Sequence, residues 1–310
     1  MKLYEPSTIR MIKKTFGFRF AKSLGQNFLI DGQVPEDIAE AAGIGPEDFV
    51  LEIGPGIGTL TAAAAARAGH VTSVEIDEDL LKVLAFTMTE YHNVNIVSGD
   101  ILKQDIPQLI AREDEAWRRE KAGPGGADLP ARSAEERRSQ VKIVGNLPYY
   151  ITTPIIMKLL ESRTEADSIT IMIQKEVAER IVSPPGSRVY GALSVAVQYY
   201  SEPVLVREVP RTAFMPAPKV DSAVIRMTLR REQPWEIADE GQFFRCVKAA
   251  FGQRRKTLLN SLQGTGAPKE QIRACLERAG IAENRRAETL GIPEFAALAN
   301  AFTEYGQTEK

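Results

Sequence analysis

From residue 49 onward the chain alternates short apolar runs with amphipathic stretches, a rhythm that few architectures accept. Phe49-Val50-Leu51-Glu52-Ile53 reads as a buried strand, followed by a glycine-rich turn and a helix over residues 59–68. Further strands are expected at 71–74, 94–97, 141–144, 168–173, 204–206 and 223–229, with helices at 79–89, 154–160 and 175–182. Repeated strand–helix alternation implies an α/β fold whose parallel sheet is covered on both faces. After Gln233 only the helical period remains, over 243–251, 257–262, 269–279 and 293–302. The expected boundary therefore separates an α/β domain, residues 1–233, from a small all-helical domain, residues 234–310. Residues 111–140 fit neither pattern. They hold seven basic and seven acidic residues, a Gly-Pro-Gly-Gly turn and one Trp without sustained period, and read as a mobile insertion with short helices.

Composition narrows the chemistry. No uninterrupted apolar stretch is long enough to span a bilayer, and the basic N-terminal residues lack the apolar core of a secretory signal. A cytoplasmic location without membrane contact is the expectation. Cys246 and Cys275 are the only cysteines, and His70 and His92 the only histidines. That is too little for a disulfide framework, a zinc site or histidine-based catalysis, and no metal is expected. The work must fall to carboxylates, amides, aromatics, backbone groups or an organic cofactor. The net charge of −2 hides a local bias. Residues 1–30 carry six Lys/Arg against Glu5 alone, and residues 211–260 carry ten against five acids, the kind of local surface that meets phosphate.

The turn after the first strand is Glu52-Ile53-Gly54-Pro55-Gly56-Ile57-Gly58. Glycines let backbone approach a ligand closely, and a helix start offers free N–H groups. The G-x-G-x-G spacing lacks the third glycine of the dinucleotide fingerprint, and Pro55 suits a turn around an amino acid better than one around a pyrophosphate. Glu75 ends the second strand, where a carboxylate can accept both hydroxyls of a ribose. Asp100 ends the third, where it can read an adenine amine; Asp77 reads instead as a helix cap. Each acid alone is more often a turn former. Three such features at successive strand ends point to a nucleoside ligand.

Asn146-Leu147-Pro148-Tyr149 follows the fourth strand and so falls on the same edge. The lone pair of an adenine N6 is delocalised into the ring. Accepting its N–H groups at the Asn146 side-chain oxygen and the Leu147 carbonyl would localise that pair on nitrogen. Pro148 restricts Leu147, and Tyr149 can stack on the base. Methyl transfer from the sulfonium of S-adenosyl-L-methionine then needs chiefly orientation, and no strong base. An isolated Asn-x-Pro-Tyr would be a plain turn; its place beside a nucleoside pocket favours the chemical reading. Phe214 and Lys219, in a proline-rich loop, leave two readings open. Phe214 closes the other face of a flipped base with Lys219 near its phosphate, or Phe214 is a core plug and Lys219 a solvated charge.

The runs KSLGQNFL (22–29), LEIGPGIGTLT (51–61), NLPYY (146–150), QKEVAERI (174–181), YGALSVAVQYY (190–200), PAPKVDSAV (216–224) and FGQRRKTLLNSL (251–262) resemble the ribosomal RNA adenine dimethyltransferase family, from about residue 15 to near the end. The likeness is strongest to its bacterial small-subunit (16S) members. It implies a Rossmann-like class I methyltransferase domain with a seven-stranded sheet and a helical rRNA-binding domain. It implies N6-dimethylation of two adjacent adenosines in the 3′-terminal hairpin of 16S rRNA, within the assembling small ribosomal subunit; a monomer is expected. A large-subunit rRNA methyltransferase and a non-catalytic assembly factor on the same scaffold are the alternatives. The resemblance places cofactor contacts at Asn27, Leu29, Gly54, Glu75, Asp100 and Asn146, with Gln26 and Gly56 beside them. It favours Phe214 and Tyr149 as the two faces of a base sandwich, and phosphate contact for Arg254, Arg255 and Lys256 at the start of an expected helix.

Overall fold

The structure, a computed structural model, describes residues 1–18, 26–122, 133, 140–253 and 255–308. The chain forms two compact units, Met1–Ala178 with Val204–Leu229, and Glu179–Pro203 with Arg230–Lys310.

The first unit opens with α1 (Pro6–Phe16), β1 (Phe28–Leu29) and α2 (Gln33–Ala41). It continues through β2 (Phe49–Ile53), α3 (Thr59–Ala65), β3 (His70–Glu75), α4 (Glu78–Thr87), β4 (Val94–Ser98) and α5 (Ile106–Ala122). Then come β5 (Val141–Asn146), α6 (Thr152–Glu161), β6 (Ser168–Gln174) and α7 (Lys175–Val182), within which the chain passes to the second unit. It returns along β7 (Ser201–Val209), followed by β8 (Phe214–Met215) and β9 (Ser222–Leu229).

Seven strands form one sheet in the order β4-β3-β2-β5-β6-β9-β7. The first five are mutually parallel, with Phe49 level with both His70 and Val141. Every residue of β2 and β3 is buried, as a strand covered on both faces requires. The sheet is not parallel throughout, since β9 runs antiparallel to β6 with Ser168 opposite Thr228. Its buried apolar run reads alike in either direction, so sequence pattern alone carries no sign of the reversal.

Residues 111–140 begin inside a longer helix than the short ones expected there. α5 runs through Ala122 and buries Ile106, Leu109, Ile110, Asp114 and Trp117 on one face. Trp117 stacks on His70 at 5.7 Å between centroids, and His70 on Phe49 at 5.6 Å. Burial depresses the His70 pKa, so it is a neutral ring of this stack. Of the remaining stretch, 123–132 and 134–139 lie outside the described residues, so its expected mobility is left aside.

The second unit holds α8 (Ala192–Tyr200), α9 (Glu240–Gly252), α10 (Leu258–Ser261), α11 (Lys269–Arg278) and α12 (Ile292–Thr308). Asp239 caps α9 by accepting the Gln242 N–H at 2.9 Å. Where the sequence suggests one boundary near residue 233, residues 179–203 here belong with the helices. Tyr190, Val195 and Tyr199 share a core with Phe243, Leu276 and Phe295. Among the described residues no helix is long and apolar enough to cross a membrane.

Candidate functional site

The carboxyl ends of β2, β3, β4 and β5 open into one cavity of the first unit. In-register pairing makes this so: Ile53 lies level with Val74 and Gly145, and Glu75 with Ser98. The residues that follow each strand therefore emerge side by side. Gly54, Gly56, Glu75, Asp100, Asn146, Leu147, Pro148 and Tyr149 all line the cavity, as do Gln26, Asn27, Leu29 and Phe214.

The turn after β2 is shaped by its glycines. Gly54, Gly56 and Gly58 have φ of 69°, 61° and 92°, the left-handed region that side chains disfavour. A Cβ at Gly58 would also meet Met88 Cε at 2.5 Å.

Glu75 is 5% exposed and is met by backbone donors. Its Oε1 accepts the N–H groups of Ile76 and Asp77, each at 2.9 Å, and its Oε2 accepts that of Gly56 at 3.2 Å. Burial raises its pKa, and the three N–H groups oppose the rise. Asp77 caps α4 through the Asp79 N–H at 3.0 Å, as expected of it, and accepts Gln26 Nε2 at 2.6 Å. Gln26 thus reaches the cavity with its amide nitrogen committed, holding the segment ahead of β1 against the end of β3. Asp100 Oδ1 accepts the Leu102 N–H at 3.0 Å.

At β5 the chain turns sharply. The Leu147 N–H continues the ladder to the Met172 carbonyl at 3.0 Å, and the Pro148 carbonyl accepts the Thr152 hydroxyl at 3.0 Å as α6 begins. Asn146 Nδ2 donates to the Asn27 carbonyl at 3.4 Å, which leaves Oδ1 as the acceptor end of the carboxamide. Tyr149 Oη and Ser222 Oγ share a hydrogen bond of 2.6 Å. Burial raises the Tyr149 pKa, so the group is a phenol that anchors its ring and no base.

Phe214 stands where the core meets the cavity. It is 3% exposed, packed with Leu29, Val209, Ala213 and Val224, and it also lines the cavity. Pairing of β8 with β1 sets Phe214 opposite Leu29, joining the proline-rich loop to the N-terminal segment. Lys219 is exposed and is not among the cavity residues. Arg255 and Lys256 are exposed in the second unit, in the turn before α10 rather than in a helix, and Arg254 lies outside the described residues. Extended Thr257 (ψ 161°) holds back the helix start.

Glu52 is the residue that sequence reading passed over. It is 1% exposed and lines the cavity. Its Oε2 accepts the Thr61 and Ser73 hydroxyls, each at 2.6 Å, while Oε1 has no partner among the described residues, at a cost of about 1–3 kcal/mol. Burial pushes its pKa up to about 7. An acid inside an otherwise apolar buried strand is itself a signal.

The pattern describing the family "Ribosomal RNA adenine dimethylase" matches residues 17–304. The chain is 46% identical over 299 residues to the ribosomal RNA small subunit methyltransferase A of Alkaliphilus metalliredigens, covering 96% of each. It is 47% identical over 300 residues to the protein of the same name from Geobacillus thermodenitrificans, covering 96% of this chain and 95% of that one. Among solved structures it is similar to the 23S rRNA methyltransferase ErmE (TM-score 0.63, 29% identity, 89% of this chain and 100% of that one). A dimethyladenosine transferase from Plasmodium falciparum shares the fold, with TM-score 0.71 at 23% identity over 90% of this chain and 98% of that one.

Proposed function

The chain belongs to the ribosomal RNA adenine dimethylase family, and from that premise we propose that it transfers methyl groups to the N6 amines of two adjacent adenosines in 16S rRNA. The cofactor of this reading is S-adenosyl-L-methionine, which when bound supplies an electrophilic methyl group on a sulfonium. The residues at the strand ends fit such a group. Glu75 and Asp100 are acceptors suited to ribose hydroxyls and an adenine amine, and the Gly54–Gly58 turn admits close approach of backbone. Gln26, Asn27 and Leu29 close that end of the cavity.

The observation that carries the reading is the orientation of Asn146. With Nδ2 held by the Asn27 carbonyl, Oδ1 faces its partners only as an acceptor, which is what an amine's N–H requires. The Leu147 carbonyl supplies a second acceptor, and Pro148 limits the rotation of Leu147. Together they draw the amine nitrogen out of conjugation and hold its lone pair towards the methyl donor. Tyr149, tethered to Ser222, offers a ring face to the base, and Phe214 lines the same cavity. Proximity and orientation carry the rate, and the amine proton leaves after transfer.

The helical second unit is assigned to rRNA, with exposed Arg255 and Lys256, and Arg254 between them and α9, meeting phosphate; Lys219 serves the first unit in the same way. The 44–48% identical relatives named as small-subunit enzymes favour the assembling small subunit as substrate. Likeness to ErmE makes large-subunit rRNA the substrate to set beside it. Labelled methyl transfer to unmethylated small subunits, large subunits and DNA, with the modified nucleosides mapped, tests this. Dimethyladenosine at two adjacent positions of 16S rRNA is expected, and label confined to large subunits or DNA would reject the assignment.

A further inference from the structure

The N-terminal helix carries cations that the fold itself does not use. α1 turns Ile9 and Ile12 into a core shared with Leu80, Val83 and Leu84 of α4. Its outer side bears Arg10, Met11 and Lys14, all exposed, and the helix contains no acidic residue. Glu5, just before it, pairs with Lys2 at 3.9 Å. Arg10 and Lys14 have no ion-pair partner among the described residues. They stand one helical turn apart, about 6 Å along the axis, in a line that leads to the C-terminal end of α1.

At that end lies an aromatic ring that folding leaves half outside. Phe86 of α4 is 48% exposed and meets Phe16, the last residue of α1, at 5.6 Å between centroids with the planes tilted by 53°. The acids of α4 lie away from it. Glu78 and Asp79 occupy the first turn of that helix, two turns before Phe86, and Lys82 holds Asp79 at 3.0 Å. Glu90, four residues past Phe86, is the nearest acid along the chain.

This pairing of cations with one open ring selects among partners. The apolar side of α1 is used up in the core, so a membrane finds no apolar stripe to take in. A folded protein partner calls for a contiguous apolar centre depleted of lysine. A single-stranded nucleic acid calls for both features as they stand, phosphates on cations and a base on a ring. Resting on the rRNA reading above, we propose that the outer side of α1 and the Phe86 ring dock a single-stranded segment of the substrate rRNA. Its phosphates meet Arg10 and Lys14, and a base stacks on Phe86. The contact belongs to the unit that carries the cavity, since Phe28 and Ile57 share the core beneath α1. It serves capture of the particle and not the transfer step.

The test uses the full chain and unmethylated small subunits. With a photoreactive azido analogue of phenylalanine in place of Phe86, irradiation of the complex should label rRNA. Label on a ribosomal protein or on a second copy of the chain would overturn the proposal. Phe86→Leu keeps apolar bulk and loses the stacking surface, so affinity for the particles should fall about five- to a hundredfold, while Phe86→Tyr stays within about twofold. Arg10→Gln with Lys14→Gln should flatten the slope of log affinity against log salt by about 0.7 for each charge removed. A role confined to the dipole of α1 would move the unfolding midpoint and leave that slope alone, which would count against the proposal. Affinity for S-adenosylhomocysteine and the transfer rate at saturating subunits should match the parent in every variant. Unchanged binding and slope, or a loss seen only in the saturated rate, would overturn this docking face and leave the rRNA reading standing. If Phe86→Leu does not fold, the photoreactive ring, which keeps the shape of phenylalanine, decides by itself. Failure of the parent chain to methylate small subunits would overturn the rRNA reading, and this inference with it.

Discussion

The two edges of the central sheet are built from the same strands and resolve their ends in opposite ways. At the amino edge, His70 begins β3 and lies stacked between Phe49 of β2 and Trp117 of α5. Lys121 sits 5.5 Å over the Trp117 ring and bonds Glu47 at 3.0 Å. A Cβ on Gly69 would strike Trp117 Cζ2 at 2.5 Å, so ring and turn are packed against each other. At the carboxyl edge the strands instead break into glycine turns and acids. Glu52 and Thr59 leave buried polar atoms there without a partner among the described residues, and Asn146 presents an acceptor. One edge is finished by packing. The other is left unfinished in the way that a ligand completes.

The contrast is broken most forcefully at the amino edge. Trp117→Ala should cost about 3–5 kcal/mol of unfolding free energy by loss of packing, measured in denaturant. Methyl transfer per folded molecule should stay within about twofold, since Trp117 is not among the residues that line the cavity. A specific loss of transfer at full foldedness would mean that the two edges are not separate.

The carboxyl edge gives the opposite sign. Glu52 has its pKa raised from 4.5 to about 7, so the folded state keeps a proton that the unfolded state releases. Its contribution to stability is present at pH 4 to 5, falls as pH rises towards 7, and stays lost above that. Glu52→Gln should therefore recover up to about 3 kcal/mol at pH 8 relative to pH 5, read as the pH dependence of the unfolding midpoint. A variant that tracks the parent at every pH would show that Glu52 is not strained by its site.

A smaller change sharpens the comparison further. Tyr149→Phe keeps the ring and loses the bond to Ser222, so about 0.5–1.5 kcal/mol of stability should go. The transfer rate should fall by no more than about tenfold, with the same pH profile, because the phenol is held and not titrated. A profile that moves would make Tyr149 an acid or base.

The finished and unfinished edges were not equally legible in the sequence. Polar residues after strands and a glycine turn announce themselves, since each breaks an apolar run at its end; Glu75, Asp100 and Asn146 are found this way. Glu52 interrupts a strand from within, and its burial depends on Thr61 and Ser73, which only the register of β2 with β3 and α3 brings together. α5 escaped because Asp114 takes a buried position on its apolar face and the surrounding charges mask the helical period. The antiparallel sense of β9 has no trace in a doubly buried run. Gln26 and Asn27 carry no local signal either. They matter through Asp77 and Asn146, partners 51 and 119 residues away.

The Asn146 acceptor is the claim on which the rest depends, and single-turnover methyl transfer by Asn146→Ala tests it most directly. The comparison is made with unmethylated small subunits, at saturating cofactor and with the fold checked by circular dichroism. The rate constant should fall by about 10²–10³-fold, the loss that follows removal of one preorganised hydrogen-bonding group, while RNA binding persists. A rate within a few-fold of the parent would contradict the assignment of Asn146 as the group that holds the amine.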